Sequence, residues 1–420
     1  MYKNTLHCRA CGATERVEVL SFGEMPLADG LLTREQLGMP ELRVPLTVLF
    51  CKSCSLLQIR ETVSPEILFA PDYPYYSSFS EGWVRHCREN ALELIESRQL
   101  GPSSLVVELA SNDGYLLKNF LQQGIPVLGI DPASGPAAEA RRAGVDVLEE
   151  FFSKDMALRL VAERCQADVV IANNVLAHVA KLTDFVEGIS ILLKDDGVAV
   201  IEVPYVRDLI EHQEFDTIYH EHHCYFSVTA LINLLGSHGL HLNHVRRLAT
   251  HGGSLRLYAG KHRLASDALT KLLREEKRLG LDQAGYYRDF AARVRDVQEE
   301  LVKLLRLIKQ EGNSLAAYAA AAKGAVLLNA TGIGTDILDF VVDRNQHKHG
   351  KYMPGVHLPI YDTSHLVEQM PDYVLLLAWN LKAEIIRQQS DYLEGGGKFI
   401  VPIPWPEIVT SPLPAVCAAC

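Results

Sequence analysis

From Leu105 onward the chain alternates short apolar runs with stretches of helical periodicity, the pattern of a doubly wound parallel sheet. Strands are expected at 105–110, 127–131, 146–150, 168–173 and 197–203, with helices opening at Tyr115, Gly135, Ser153 and Lys181. A helix at 228–237 and a β-rich stretch over 240–260 follow. The charged, heptad-like segment 265–310 predicts a long helix or helical pair whose Lys, Arg and Glu residues form a solvated face. A second alternation starts at Leu315, with strands closing near Asp343 and at 373–378 and 399–403, the last preceded by Gly395-Gly396-Gly397. The first 70 residues carry neither period, so β and loop structure is expected there. A helical segment over 83–97 leads into the first strong strand. The expected fold class is α/β: a small N-terminal module at 1–70, a Rossmann-like domain at 71–264, a helical connector at 265–310 and a second Rossmann-like domain at 311–420.

The 420 residues are 48% hydrophobic, enough for a core in each unit, and the net charge of −11 argues against a general nucleic-acid binder. No apolar run approaches about 18 residues and the N-terminus does not read as a signal peptide, so no membrane partner and a cytoplasmic address are expected. Nine cysteines make an odd number, and four of them form two C-x-x-C pairs, Cys8/Cys11 and Cys51/Cys54. In a reducing compartment that spacing favours a metal over disulfides, and four thiolates leave no open position, so the ion should be structural Zn2+. Redox dithiols are the alternative. Cys417 and Cys420 repeat the spacing at the end of the chain, where chance thiols on a frayed tail are expected.

The densest chemistry lies in Tyr219-His220-Glu221-His222, followed by His223 and by Cys224-Tyr225-Phe226-Ser227, which reads as a short buried strand or turn. An imidazole can take and give a proton near neutral pH, a phenol can donate to a developing oxyanion, and a carboxylate can fix an imidazole tautomer. Upstream, Glu108-Leu109-Ala110-Ser111-Asn112-Asp113-Gly114 joins a strand to a helix without the G-x-G-x-x-G of a dinucleotide site. Asp113 would repel a phosphate there, whereas Asp131, beside Pro132 at the end of the second strand, is placed to accept both hydroxyls of a ribose. An acidic loop plus a ribose-binding acid favours S-adenosylmethionine, whose amine and sulfonium are cationic. Asn173 and Asn174 follow the fourth strand, where amides can meet a cofactor. His178 either faces substrate or packs at a helix start. The aromatic run 71–78, with Tyr75 and Tyr76, either lines a pocket or forms a surface linker.

Taken together these residues resemble the three-domain S-adenosylmethionine-dependent C-methyltransferases that act on nucleotide-linked 4-keto-deoxysugars. The resemblance spans essentially the whole chain and adds His251-Gly252-Gly253-Ser254, Ala322-Lys323-Gly324 and Val342-Asp343-Arg344-Asn345 to the motifs above. It departs from the family pattern at Ala110, where glycine is usual in the cofactor loop, and at Ala317-Tyr318-Ala319, where Gly-Tyr-Gly is typical. The resemblance implies methylation at C3 of a sugar carried by a nucleotide, dTDP being the first expectation. It places His222 as the base, Tyr219 as donor to the C4 enolate, Glu221 as the group orienting an imidazole or a sugar hydroxyl, and His178 as a second proton-transfer candidate. Substrate contacts are expected from Tyr75, Tyr76, His220 and His251, and diphosphate contacts from Lys323, Gly324 and Arg344, with an ion pair as the alternative for Arg344. A monomer is expected. The competing functions are an O- or N-methyltransferase of another metabolite, a zinc-containing binding protein, and a metal-dependent hydrolase; the last lacks H-E-x-x-H.

Overall fold

The computed structural model describes residues 2–68, 76–163 and 166–411. Three larger sheets organise them. A four-stranded antiparallel sheet carries Arg16–Pro26, Arg43–Cys51 and Leu57–Ile59, and its fourth strand is Cys224–Tyr225, from the far side of the sequence. The pairs are Cys224 with Gln58 and Tyr225 with Leu57. The short strands Tyr2–Asn4 and Glu61–Val63 pair separately.

The seven-stranded sheet has at its centre Val106–Leu109, flanked by Val127–Ile130 and then Val147–Leu148 on one side and by Ala167–Asn173 and Leu193–Pro204 on the other, all parallel. Ser254–Gly260 and His241–Leu248 add antiparallel strands at the second edge. These strands read as near-continuous apolar runs because helices cover both faces, and most of their residues are wholly buried. The six-stranded sheet repeats the parallel order, with Leu315–Tyr318 between Val341–Val342 and Tyr373–Leu376, then Ile360–Tyr361 and Lys398–Val401 outside them. In both sheets the strand order reverses beside the first strand, and ligands bind at the carboxyl ends there.

The expected strand at 146–150 shrinks to Val147–Leu148, and only Val341–Val342 pairs in the run leading to Asp343. The helix expected from Tyr115 begins at Lys118, after a turn. The segment 265–310 is a helical pair, Asp267–Leu279 and Phe290–Gln310, broken at Gly280, whose φ of +82° suits a residue without a Cβ. One glutamate of this segment is not on a solvated face. Glu276 is fully buried, and its carboxylate accepts hydrogen bonds from the Tyr205 hydroxyl (2.9 Å), the Val228 and Thr229 amides (2.7 and 2.9 Å) and the Thr229 hydroxyl (2.7 Å). It thereby satisfies the otherwise unpaired amides at the start of helix Val228–Gly236, where a negative charge is favoured.

Replacing Glu276 by Gln keeps the volume but leaves an amide nitrogen that cannot accept, orphaning buried donors at about 1–3 kcal/mol each. Glu276→Gln should therefore lower the unfolding free energy in urea by at least about 2 kcal/mol. An unchanged midpoint would show that the connector does not hold this helix.

Candidate active site

Cys8 and Cys11 flank a tight turn in which the Gly12 amide donates to the Cys8 carbonyl, and Cys51 and Cys54 flank a second, in which the Ser55 amide donates to the Cys51 carbonyl. The two turns bring the four thiols together, with all sulfurs within 4.8 Å of one another and 3.5 and 3.6 Å between Cys8 and Cys54 and between Cys11 and Cys51. Four sulfurs at about 2.3 Å from one zinc ion stand about 3.8 Å apart, so the cluster fits a closed tetrahedral site. The Asn233 amide donates to the Cys54 carbonyl at 3.2 Å, tying the second turn to the helix that follows the Tyr219–His222 string.

A cleft of about 1520 Å³ runs along the carboxyl ends of both parallel sheets and takes part of its wall from the N-terminal module. That exceeds the roughly 300–1000 Å³ of a pocket for one small ligand, leaving room for two. On the central sheet, Asp131 lines it with each carboxylate oxygen accepting one amide, from Asn112 and from Ala133, both at 2.8 Å. One lone pair on each oxygen remains for a diol. Asn173 and Asn174 also line the cleft, and among the described residues both polar atoms of the Asn173 amide and the carbonyl oxygen of Asn174 are buried without a partner. A ligand with ribose hydroxyls and a polar tail would satisfy them, as S-adenosylmethionine does. Ala110, Asn112 and Pro132 complete this wall, Ala110 with φ of +58° and Asn112 with φ of +47°.

Four residues of the expected cofactor loop stand behind the wall instead. Glu108 has no exposed surface, and burial pushes its carboxyl well above the usual range against a hydrogen bond from Tyr115. The Ser111 hydroxyl packs on Gly129, where a Cβ would come within 2.5 Å of it, and Asp113 accepts the Ser78 amide at 3.1 Å. Gly114, at φ of +75°, lies against Ala140 and Val145. They shape the loop without reaching the cleft. Phe151 and Phe152, after the third strand, do reach it; an aromatic pair just past a strand end was their sequence signal.

The Tyr219-His220-Glu221-His222 string bends so that Tyr219 and His222 meet. The His222 Nδ1–H donates to the Thr217 carbonyl at 2.8 Å, which leaves Nε2 as the acceptor for the Tyr219 hydroxyl, also at 2.8 Å. Burial pushes the imidazole's pKa well below its ordinary value. His178 stands edge-on to it with ring centroids 4.6 Å apart, and burial lowers its pKa to about 4 while a hydrogen bond to the Glu221 backbone pulls upward. Tyr219, Glu221, His222 and His178 all line the cleft.

His220 does not. Its Nε2 faces the Val44 and Pro45 carbonyls at 3.1 and 3.2 Å, so its place is to dock the string on the N-terminal sheet rather than to touch substrate. His251 lines the cleft with φ of +57°, its ring 5.1 Å from Trp83, and burial pushes its pKa down to about 4. Trp83, absent from the expected set, is a second aromatic wall residue.

On the C-terminal side Lys323, Arg344 and Tyr76 line the cleft, and Tyr76 stacks on His347 at 5.5 Å. Gly324 lies outside it: a Cβ there would come within 2.8 Å of Leu377, so the glycine lets its helix close on the strand below. Arg344 donates to the Phe79 carbonyl at 2.9 Å and pairs with Glu384 at 3.4 Å, and still borders the cleft. Tyr75, Cys417 and Cys420 lie outside the described residues. Asp343, part of the Val342–Asn345 motif but given no role of its own in the sequence, repeats the geometry of Asp131. Its carboxylate accepts the amides of Ala320 and Asn345, both at 2.7 Å, and Ala319 before it has φ of +77°. An acid closing the second strand of each lobe was the available signal.

Three family profiles match the chain in succession: a zinc binding domain at residues 8–69, a methyltransferase domain at 83–245 and a C-methyltransferase C-terminal domain at 249–404. Among curated proteins, C-methyltransferase NovU of Streptomyces niveus is 36% identical over 409 residues, 96% of this chain and 97% of NovU. Among solved structures, the magnesium protoporphyrin IX methyltransferase of Synechocystis PCC 6803 with bound SAM is 16% identical, covering 43% of this chain and 80% of its own, with a TM-score of 0.34. The glycopeptide N-methyltransferase MtfA is 12% identical, covering 42% and 94%, with a TM-score of 0.32. Among the described residues no helix is long and apolar enough to cross a membrane.

The thiol cluster carries a direct test. Metal analysis should find about one zinc per chain, and Cys51→Ser should lose metal and stability together. Because Cys224–Tyr225 pairs with the sheet this cluster pins, catalytic activity should be lost in the same variant. Full activity in a zinc-free, folded protein would refute the structural role.

Proposed function

The chain belongs to the zinc-containing, S-adenosylmethionine-dependent C-methyltransferase family of NovU, and from that premise we propose that it methylates C3 of a nucleotide-linked 4-keto-deoxysugar after His222 has enolised the ketone. The observation that supports this reading is the Tyr219–His222 pair, a neutral base of fixed tautomer joined to a phenol at the wall of a cleft large enough for two ligands. Methylating carbon needs a carbanion equivalent, and a ketone beside the target carbon provides one by enolisation. O- or N-methylation needs no enolate donor.

The pair works as a unit. Nε2 of His222 takes the C3 proton, and the new N–H then donates to the Tyr219 oxygen, whose own hydroxyl turns to the developing C4 oxyanion. Charge formed on the imidazole is shared with the Thr217 carbonyl already bonded to Nδ1. One well-aimed oxyanion donor lowers a barrier by about 3 kcal/mol. The Glu221 carbonyl steadies His178 against the base. Asp131, Asn173 and Asn174 would hold S-adenosylmethionine, which when bound would supply an electrophilic methyl group. The zinc site, closed by four thiolates, stays outside the chemistry. The nucleotide, with dTDP the first candidate, would lie on the C-terminal side, its sugar hydroxyl at Asp343 and its diphosphate near Arg344.

Incubation with S-adenosylmethionine and a panel of nucleotide 4-keto-deoxysugars should give a product heavier by one methylene in the mass spectrum; a 4-hydroxy analogue should give none. His222→Asn should abolish turnover with cofactor affinity nearly unchanged, and Tyr219→Phe should slow it by roughly 10²–10³-fold. Near-normal turnover of the His222 variant would remove it as the base.

The pH profile has a definite sign. A base whose pKa is depressed by burial stays neutral until the pH falls below the ordinary histidine range. So kcat/KM should be flat on descending from pH 8 to about 6.5, with any acid limb below it. An acid limb centred at or above that value would point to a different base.

A further inference from the structure

Lys323 reaches the cleft from the second residue of helix Ala322–Thr331, which packs on the 215–217 turn at the base of the catalytic string. The turn 379–381 packs in the same way on 250–252, beside His251. A chain of contacts crosses this seam. The Lys323 ammonium donates to Asn380 Oδ1 at 2.9 Å and sits 4.6 Å over the Trp379 ring. The Trp379 indole N–H donates to Asp216 at 2.7 Å, and the next residue, Thr217, gives the carbonyl that fixes the His222 tautomer. An ammonium has three hydrogens to donate. Among the described residues this one makes a single hydrogen bond and no ion pair within 4.0 Å, so donor capacity is left at the cleft wall. Its charge also acts on His222 and His251.

We propose that Lys323 is a catalytic residue of the enolisation, its ammonium being the cation that meets the C4 oxygen as the C3 proton leaves. The proposal rests on the function proposed above and deepens it. In the step the C3–H bond breaks and its proton goes to His222 Nε2. The electron pair forms the C3–C4 double bond, and the carbonyl π pair moves onto oxygen beside the ammonium. The surroundings favour this role over diphosphate binding. Glu214 lines the same cleft and Asp216, a buried acid raised to about 7, lies just behind it, and a permanently anionic diphosphate would stand against their carboxyls more than a neutral group would. A ketone is neutral on arrival and becomes anionic only during the reaction, so the same carboxyls oppose it far less. Trp379 and Asn380 are then positioning residues that set where the ammonium points.

The test compares wild type with Lys323→Met, Lys323→Arg and Asn380→Ala, each checked for folding by circular dichroism. Steady-state constants are measured with a nucleotide 4-keto-deoxysugar, and deuterium entry at C3 is followed in heavy water without methyl donor. Lys323→Met should lose about 10²–10³-fold in both kcat and the exchange rate, with the sugar nucleotide KM within about threefold. Lys323→Arg should recover part of both rates. Asn380→Ala, which keeps the charge but frees its position, should lower both by about tenfold, and serves alone if Lys323→Met does not fold. A KM raised tenfold or more with kcat and exchange preserved would make Lys323 a diphosphate ligand and overturn the proposal, as would wild-type exchange in both Lys323→Met and Asn380→Ala. Wild-type protein that methylates no 4-keto sugar would overturn the function itself.

Discussion

The site depends on two backbone pairs, Cys224 with Gln58 and Tyr225 with Leu57, by which the segment that follows the Tyr219–His222 string becomes the edge strand of the zinc module. A strand of two residues has no stability of its own. It stays in place because the sheet it joins is pinned by four cysteines in two turns, and because neighbouring groups lock it from both sides. His223 donates its amide to the Ala177 carbonyl at 2.7 Å and accepts the Ile59 amide at 3.0 Å, while His220 reaches the Val44 and Pro45 carbonyls. The cysteine cluster therefore acts on the Tyr219–His222 pair at a distance, by holding the backbone from which both side chains project. A loop carrying four ionisable side chains would otherwise sample many arrangements, and a displacement of about 1 Å at a reacting group is costly.

Burial sets the protonation states that this arrangement needs. His178, His222 and His251 are all driven toward the neutral form by loss of water, so a base is available at neutral pH without a carboxylate partner. The same loss of water raises acids in the neighbourhood, with Asp216 pushed up to about 7. Positive charge at the cleft wall comes from every unit, in Lys3 and Arg9 of the N-terminal module, Lys181 of the central domain, and Lys323, Arg344 and Lys348 of the C-terminal lobe.

The two lobes share a strand order and a local device. Asp131 and Asp343 each close a second strand and each accept two backbone amides, and each is preceded across the first loop by an alanine in the left-handed region. That conformation costs a residue with a Cβ about 1–2 kcal/mol. It explains why glycine is usual at the positions of Ala110 and Ala319. Ala317, by contrast, sits in regular strand pairing with Val341 and Leu375, where nothing demands glycine.

Periodicity alone located both parallel sheets, since apolar runs between helices have few other uses, and cysteine spacing alone located the metal site. The acid at the end of the second strand and the Tyr-His-Glu-His string were likewise legible as candidates from residue type and local spacing, and Asp131, Tyr219, Glu221 and His222 line the cleft. The direction of each side chain was not. His220 and His222 are two residues apart in a turn without regular period, and only contact with Val44 and Pro45 on one side and Thr217 on the other sends one to a sheet and one to the cleft. Lys323 and Gly324 are adjacent, yet one faces ligand space and the other a leucine. Glu276 reads as one more surface glutamate until the helix at Val228 is packed against it. Sequence therefore determined the elements and the inventory of reactive groups, which depend on neighbours along the chain. Tertiary structure decided which groups meet, because that depends on packing between separate elements, as where Glu276 meets Val228, 48 residues away, and His220 meets Val44, 176 residues away.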